Sequence, residues 1–304
     1  AYTSVGEFLA WLVGWNLVLE YSVGASAVAS GWSAYVVGLL KTAGFELPKA
    51  WTMVPSDGGI VNLPAIFITL FLTILLVRGV KESVTVNKLL VGVKLLAIFI
   101  FLFLAAPSVD VTNWDPFMPF GFSGVSAGAA VIIYAYLGVD SIATAAEETK
   151  NPAHDMPTGI IGSLVICTVL YIAVTAVMTG NVSYQQLDNA EPVAFVLREL
   201  GYRFGSALVG TGAIAGLTTV LLVMMYAQTR AFFAMSRDGL IPKSVCQLHT
   251  KYATPHRITL IVGIAVAVIS GFTPIDVVAE MCSVGTLFAF IVSSIGVMVM
   301  RHKY

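Results

Sequence analysis

Residues 124–152 read GVSAGAAVIIYAYLGVDSIATAAEETKNP. From 124 to 146 the only formally charged side chain is Asp140. An apolar run of this length is a membrane-crossing helix. It stops in Glu147-Glu148-Thr149-Lys150-Asn151-Pro152, a charged cap followed by a helix-breaking proline. The small residues from Ser123 to Ala130 form a face on which another helix can lie close. Further along, Gly138 and Asp140 together lower helix propensity in mid-membrane. If the helix opens there, its freed N–H and C=O groups need partners, which a bound polar substrate supplies.

The rest of the chain has the same character. Of its 304 residues 58% are hydrophobic and 11% are charged, against about 25% charged in soluble domains. The mean hydropathy is +0.88. This excludes a soluble globular domain, a disordered chain and a coiled coil. A net charge of −1 implies no nucleic-acid partner. Cys167, Cys246 and Cys282 form neither a C-x-x-C pair nor a complete disulfide set, and are expected to be structural. His154, His249, His256 and His302 fall in loops without an H-E-x-x-H pattern, and no G-x-S-x-G elbow occurs. No enzyme, metal or cofactor is expected. A channel would need a ring of charged side chains or carbonyl filters, and none is legible.

Charge-poor runs predict eight spans. The first, 6–40, carries Glu7 at its very start, is otherwise interrupted only by Glu20, and has no proline or polar turn to split it, so it reads as one long tilted helix. The others are 62–77, 87–106, 124–146, 156–180, 206–235, 258–271 and 278–300. The loops 41–61 and 107–121 carry Pro, Gly and Trp and are expected to be ordered. Within the loop 181–203, residues 192–200 suggest a short amphipathic helix on the outer surface.

The cations segregate between loops. Arg78, Lys81, Lys88, Lys150, Arg230, Arg237, Lys243, Lys251, Arg257, Arg301 and Lys303 fall on one face of an eight-span chain. Lys41, Lys49, Arg198 and Arg203 fall on the other. The positive-inside rule makes the first face cytoplasmic, with both ends of the chain there. The chain opens inside an apolar segment and is expected to be a piece of a longer protein.

Three ionisable residues lie at membrane depth: Glu20, Lys94 and Asp140. An unrelieved charge at the bilayer centre costs from about 2.5 to above 10 kcal/mol. Either these groups pair for structure, or they mark a substrate, ion or proton site. Near the end of the sixth span, Arg230, Arg237 and Asp238 are placed to pair with Glu147 and Glu148 across the cytoplasmic face, as a gate or as a solvated interface.

The stretch 135–152 closely resembles the sixth span of the cationic amino acid transporter family, part of the amino acid–polyamine–organocation superfamily. Gln228-Thr229-Arg230, with Arg237-Asp238-Gly239-Leu240-Ile241-Pro242, is similar to the end of its eighth span. Trp15-Asn16-Leu17-Val18-Leu19-Glu20-Tyr21 is similar to its third, and Ser283-Val284-Gly285-Thr286-Leu287 to its tenth. The resemblance covers the whole chain in order. It implies an all-α membrane domain with the five-plus-five inverted-repeat, leucine-transporter-like fold, of which this chain holds spans three to ten. Residues 1–304 then form a single polytopic domain. Residues 1–107 correspond to the end of the first repeat and residues 123–300 to the second.

The resemblance also implies roles. Backbone carbonyls around Tyr134, Ala135 and Leu137, beside Gly138 and Asp140, would hold the substrate amino group. The first span, absent here, would receive the carboxylate. Tyr134 stands in the aromatic lid over the pocket. Lys94 matches a fifth-span lysine that stands in for the coupling cation of sodium-driven relatives. Burial disfavours its charged form, so its titration would couple transport to protons. By helical spacing Thr219 is expected to accept from Lys94. Met224 fills space and offers no polar partner to a long cationic side chain, which favours small or medium neutral amino acids. Glu20 and Asp140 argue for a cationic substrate.

The expectation is therefore a proton-coupled amino acid carrier of the bacterial plasma membrane, working by alternating access. Its partners are the free amino acid, protons and membrane lipid, and an accessory membrane subunit is left open. The alternatives are a cationic amino acid transporter and an amino acid/polyamine exchanger.

Overall fold

Inside a bilayer a backbone has no water to bond, so uninterrupted apolar segments close their hydrogen bonds internally and become helices. The structure, a computed structural model, describes residues 6–79, 84–136, 138, 151–189, 191–242, 244, 246–249 and 254–303. All regular structure among the described residues is helical.

The principal helices are α1 (Glu7–Thr42), α2 (Leu63–Val77), α3 (Val84–Ala105), α4 (Gly121–Ile132), α5 (Pro152–Asn181), α6 (Pro192–Glu199), α7 (Arg203–Arg237), α8 (His256–Phe272) and α9 (Ile275–Lys303). Single helical turns decorate the connections. The unbroken α1 follows from a stretch with no internal proline: its 36 residues make a rod of about 54 Å, well over the roughly 30 Å hydrocarbon core. Among the described residues five segments are long and apolar enough to cross a membrane: Trp11–Thr42, Lys88–Ser108, Pro152–Asn181, Arg203–Arg237 and Ile275–Val299. Helices α2, α4 and α8 are shorter, at 15, 12 and 17 residues. Eight spans are expected from the sequence; among the described residues five helices reach spanning length by themselves.

The described residues fall into two compact units, one drawn from 1–33, 48–83 and 217–304, the other from 34–47 and 84–216. Helices α1 and α7 each contribute one part to either unit.

In the first unit, α2 and α8 form the closest helix pair. The side-chain amide oxygen of Asn62 caps α2 by accepting from the Ala65 N–H at 3.3 Å, and also accepts from Ser33 Oγ at 2.6 Å. The Asn62 N–H donates to the Gly271 carbonyl at 3.0 Å. At the other end of α2, Thr254 Oγ1 donates to the Val77 carbonyl at 2.7 Å. Between these ties Gly263 of α8 lies against Thr73, so close that a Cβ would overlap the threonine side chain. Around the pair, Val18, Leu72, Leu221, Met225, Phe232 and Val266 belong to one buried apolar cluster.

In the second unit, Phe101 and Ala105 of α3 pack with Val196 and Leu197 of α6 and with Val209 of α7. The amphipathic helix expected near 192–200 is present as α6. Its apolar face is buried against protein rather than laid on a membrane surface: Ala194, Val196 and Leu197 are buried, and Ser206 Oγ donates to the Ala194 carbonyl at 2.8 Å. The loop after α3 is ordered by donors to the end of α5. The Asp110 N–H and Asn113 Nδ2 both donate to the Gly180 carbonyl, at 2.9 and 2.8 Å.

Candidate functional site

Two of the segments singled out by sequence, 15–21 and 283–287, are separated by more than 250 residues and meet in the first unit. Asn16 Nδ2 of α1 donates to the Gly285 carbonyl of α9 at 2.7 Å. One turn on, Glu20 is 2% exposed. Its Oε1 accepts from Thr286 Oγ1 at 3.0 Å, and its backbone carbonyl accepts from Cys282 Sγ at 3.6 Å. A Cβ on Gly285 would lie in ordinary contact with Asn16 and Glu20, at 3.6 to 4.0 Å. The two helices therefore meet along a polar seam. Beside it lies an open groove of about 690 Å³, lined by Leu12, Trp15, Leu19, Met281, Val284 and Phe288 together with the seam's Asn16.

Helix α1 carries further polar groups around its circumference. Ser22 Oγ donates to the Val18 carbonyl at 2.8 Å. Gln228 of α7, buried, donates from Nε2 to the same carbonyl at 3.1 Å and to Ser22 Oγ. Ser26 Oγ reaches the Val266 carbonyl of α8 at 3.3 Å. Polar groups hidden from water are costly unless paired. These pairs fix how α7, α8 and α9 are rotated against α1.

Of the predicted substrate residues, Leu137 and Asp140 lie outside the described residues, as does the Tyr134 side chain. What surrounds them is informative. Helix α4 gives way at Ile133–Tyr136 to a tighter 3-10 turn, and Gly138 has φ of +109°, a backbone conformation that side chains with a Cβ rarely adopt. The chain therefore leaves α-helical geometry at the place where glycine and aspartate lowered helix propensity. The Ala135 carbonyl accepts from Tyr171 Oη of α5 at 2.9 Å. Tyr136 Oη bonds Thr168 Oγ1 at 3.0 Å, and the two tyrosine rings meet edge to face at 5.4 Å. Tyr171 was not singled out by sequence. A tyrosine in an apolar span looks like packing until its carbonyl partner is known.

Lys94 of α3 is partly buried and lays its stem along α7. A Cβ at Gly216 would come within 3.1 Å of Lys94 Cγ and Cε. Glycine at 216 is what lets the lysine stem lie on that helix. Thr219, buried, is three residues further along α7. Lys94 belongs to one unit and Thr219 to the other. Met224 packs against the buried apolar cluster of the first unit.

Of the charges expected to form a cytoplasmic gate, Glu147 and Glu148 lie outside the described residues. The guanidinium of Arg230 stands over the Tyr226 ring, 5.0 Å from its centroid, a cation–π arrangement. Arg237 Nε and Asp238 Oδ1 are 3.4 Å apart and exposed, a neighbour pair of little energetic consequence. Nearby, burial raises the Cys246 thiol pKa, partly offset by a hydrogen bond with Ser236. Among the described residues no three histidine, cysteine, aspartate or glutamate side chains are grouped to hold a metal.

Comparison with known proteins identifies the setting of this geometry. The chain is 44% identical over 307 residues to the branched-chain amino acid permease BcaP of Bacillus subtilis, covering 99% of this chain and 66% of the relative. It is 45% identical over 306 residues to the methylthioribose transporter of the same organism, covering 100% and 66%. It is 35% identical over 311 residues to the vacuolar cationic amino acid transporter 4 of Arabidopsis thaliana, covering 99% and 52%. The chain thus spans between half and two thirds of the length of these relatives. The sequence profile described as amino acid permease matches residues 1–304. Five helices of spanning length and a profile match from end to end place this chain, a multi-pass membrane protein, in the amino acid permease family.

Proposed function

We propose that the protein is a secondary active amino acid transporter that moves small or medium neutral L-amino acids together with protons by alternating access. The observation that carries this reading is the family match over the whole chain, joined to the helix break at 133–138. A broken helix in mid-membrane offers backbone carbonyls to an ammonium group, and such breaks are where transporters of this kind hold substrate. On this reading the carbonyls of Tyr134, Ala135 and Leu137 take the amino group, with Gly138 giving the break and Asp140 beside it. The carbonyl of Ala135 retains a lone pair while Tyr171 donates to it. The remaining spans of the inverted repeat, outside this chain, complete the site.

A neutral substrate is favoured by two observations. Glu20 accepts from Thr286 within the seam, which suits a helix-tying role better than recognition of a cationic side chain. Met224 presents only apolar surface. The similarity to a branched-chain permease supports the same direction. A second reading, a neutral thioether-bearing solute, is favoured by the equally high identity to a methylthioribose transporter. A cationic substrate is the third.

Proton coupling is assigned to Lys94, whose ammonium at membrane depth is expensive enough to titrate within the cycle. Its pairing with Thr219 is a proposal read from helical spacing. Glu147 and Glu148 are proposed to form a cytoplasmic gate with Arg230, Arg237 and Asp238. The orientation follows the cation count, with both ends of this chain cytoplasmic and the plasma membrane as the site of action.

The experiment is uptake by the full-length protein in proteoliposomes, with labelled leucine, alanine, arginine and methylthioribose offered singly and in competition. Saturable leucine or alanine uptake, unaffected by arginine, is the expected result. Arginine uptake alone would reassign specificity to the carboxylates, and methylthioribose uptake alone would remove the amino acid from the reading.

A further inference from the structure

The second unit contains a cleft whose chemistry is unlike that of the seam. It measures about 450 Å³ and is lined by Gly38 and Lys41 of α1, by Glu191, Arg198 and Glu199 at α6, and by Arg203 at the start of α7. Two of its charges satisfy each other. Arg198 and Glu191 form a two-pronged pair at 2.6 and 3.2 Å, and both are largely buried. Gly38 makes room for this pair, since a Cβ there would overlap the Glu191 carboxylate. The pair closes within α6, from its N-cap Glu191 to Arg198, and packs against Gly38 of α1.

The other charges remain available. Lys41, Glu199 and Arg203 are exposed, and among the described residues no ion pair engages them. Their position is informative. Lys41 is in the last turn of the span Trp11–Thr42, and Arg203 is the first residue of the span Arg203–Arg237. Both stand where apolar helices reach the membrane–water boundary, on whichever side of the membrane that boundary lies. Large rings are exposed beside them: Phe45 at 67%, Tyr202 at 41% and Phe204 at 82%. Basic side chains next to exposed aromatic rings at a helix end mark the level of lipid headgroups.

We infer that this cleft binds the headgroup of a zwitterionic phospholipid that carries a primary ammonium, of the phosphatidylethanolamine type. Two cations, Lys41 and Arg203, match a phosphodiester. A separate carboxylate, Glu199, matches an ammonium that still has N–H bonds to donate. A headgroup of one sign would leave one of these sets unmatched. A free amino acid carries the same two charges, but it has no acyl chain to cover Phe204 or the exposed Leu208 one turn further along α7.

The test is native mass spectrometry of the full-length protein in mild detergent, with equal amounts of phosphatidylethanolamine, phosphatidylcholine and phosphatidylglycerol. Phosphatidylethanolamine should be retained preferentially. Lys41→Gln and Arg203→Gln should each weaken its retention about fivefold. Glu199→Gln should abolish the preference over phosphatidylcholine while leaving phosphatidylglycerol bound. Glu199 is exposed on a short helix, so this variant decides the matter even if the cation variants fail to fold. Equal retention of phosphatidylethanolamine and phosphatidylcholine by the parent protein would overturn the inference. So would stronger binding of phosphatidylglycerol, or displacement of the lipid by soluble phosphoethanolamine or alanine at equal concentration.

Discussion

Helices α2 and α8 in one unit, and α4 and α5 in the other, are all apolar, yet they are held very differently. α8 buries eight of its 17 residues and α2 buries five of its 15. α4 buries none, and α5 buries only Gly180 in 30 residues. The first pair is locked by a glycine against a threonine, by the Asn62 N–H on the Gly271 carbonyl at one end and by Thr254 Oγ1 on the Val77 carbonyl at the other. The second pair depends on two tyrosines that bridge the end of α4 to the middle of α5. Apolar composition puts a helix in the membrane, but small and polar residues decide how firmly it is held there.

The contrast is tested most severely by a matched pair of substitutions. Gly263→Ala places a methyl group against Thr73 and should cost about 1–3 kcal/mol by overpacking. Gly159→Ala in α5 meets nothing within 4 Å and should gain up to about 1 kcal/mol from helix propensity. Thermal unfolding of the full-length protein in one detergent reads both. Equal losses at the two positions would dissolve the distinction between the pairs. A smaller effect is expected for Asn62→Ala, which removes the α2 cap and the acceptor for Ser33. It should cost about 1–2 kcal/mol, and Asn62→Asp should recover most of the loss.

Less is at stake in the second pair. Tyr171→Phe removes the donor to the Ala135 carbonyl and should cost about 0.5–1.5 kcal/mol. Its signature is local: hydrogen exchange should quicken at residues 121–136 and stay unchanged at α2 and α8. Quickening at α2 and α8 as well would mean that the support the tyrosine gives is not local.

The smallest effect is electrostatic. Two hydrogen bonds from Thr112, from its hydroxyl and its N–H, hold the Asp110 carboxyl below its ordinary range. The stabilisation this gives to the loop is therefore complete above the ordinary carboxylate pKa and is lost as the pH falls through the lowered value. Exchange at residues 110–114 should accelerate as the pH falls below the ordinary carboxylate range, and Asp110→Asn should flatten that dependence.

Much of this was legible in the sequence because the signals were local. The absence of proline and turn residues from 6 to 40 foretold a single helix. Gly138 with Asp140 marked a place of weak helix propensity, and the chain leaves α-helical geometry at 133–138. The pairing of faces was not legible. In a helix apolar all round, periodicity does not reveal which side meets a neighbour, so Asn16 with Gly285, Glu20 with Thr286 and Gln228 with Ser22 emerged only from the fold. Glu20 shows the consequence. Its charge type pointed toward substrate, while its geometry joins it to α9. The burial of α6 was misjudged for a related reason, since an amphipathic helix covers protein as readily as lipid.

The central claim is that Lys94, lying along Gly216, couples amino acid movement to protons. The most direct measurement is leucine uptake by the full-length protein in proteoliposomes, with and without an inward proton gradient, for the parent and for Lys94→Ala. The account predicts that the gradient raises uptake by the parent and that the variant loses this response while still exchanging leucine across the membrane. An unchanged response to the gradient in Lys94→Ala would contradict it.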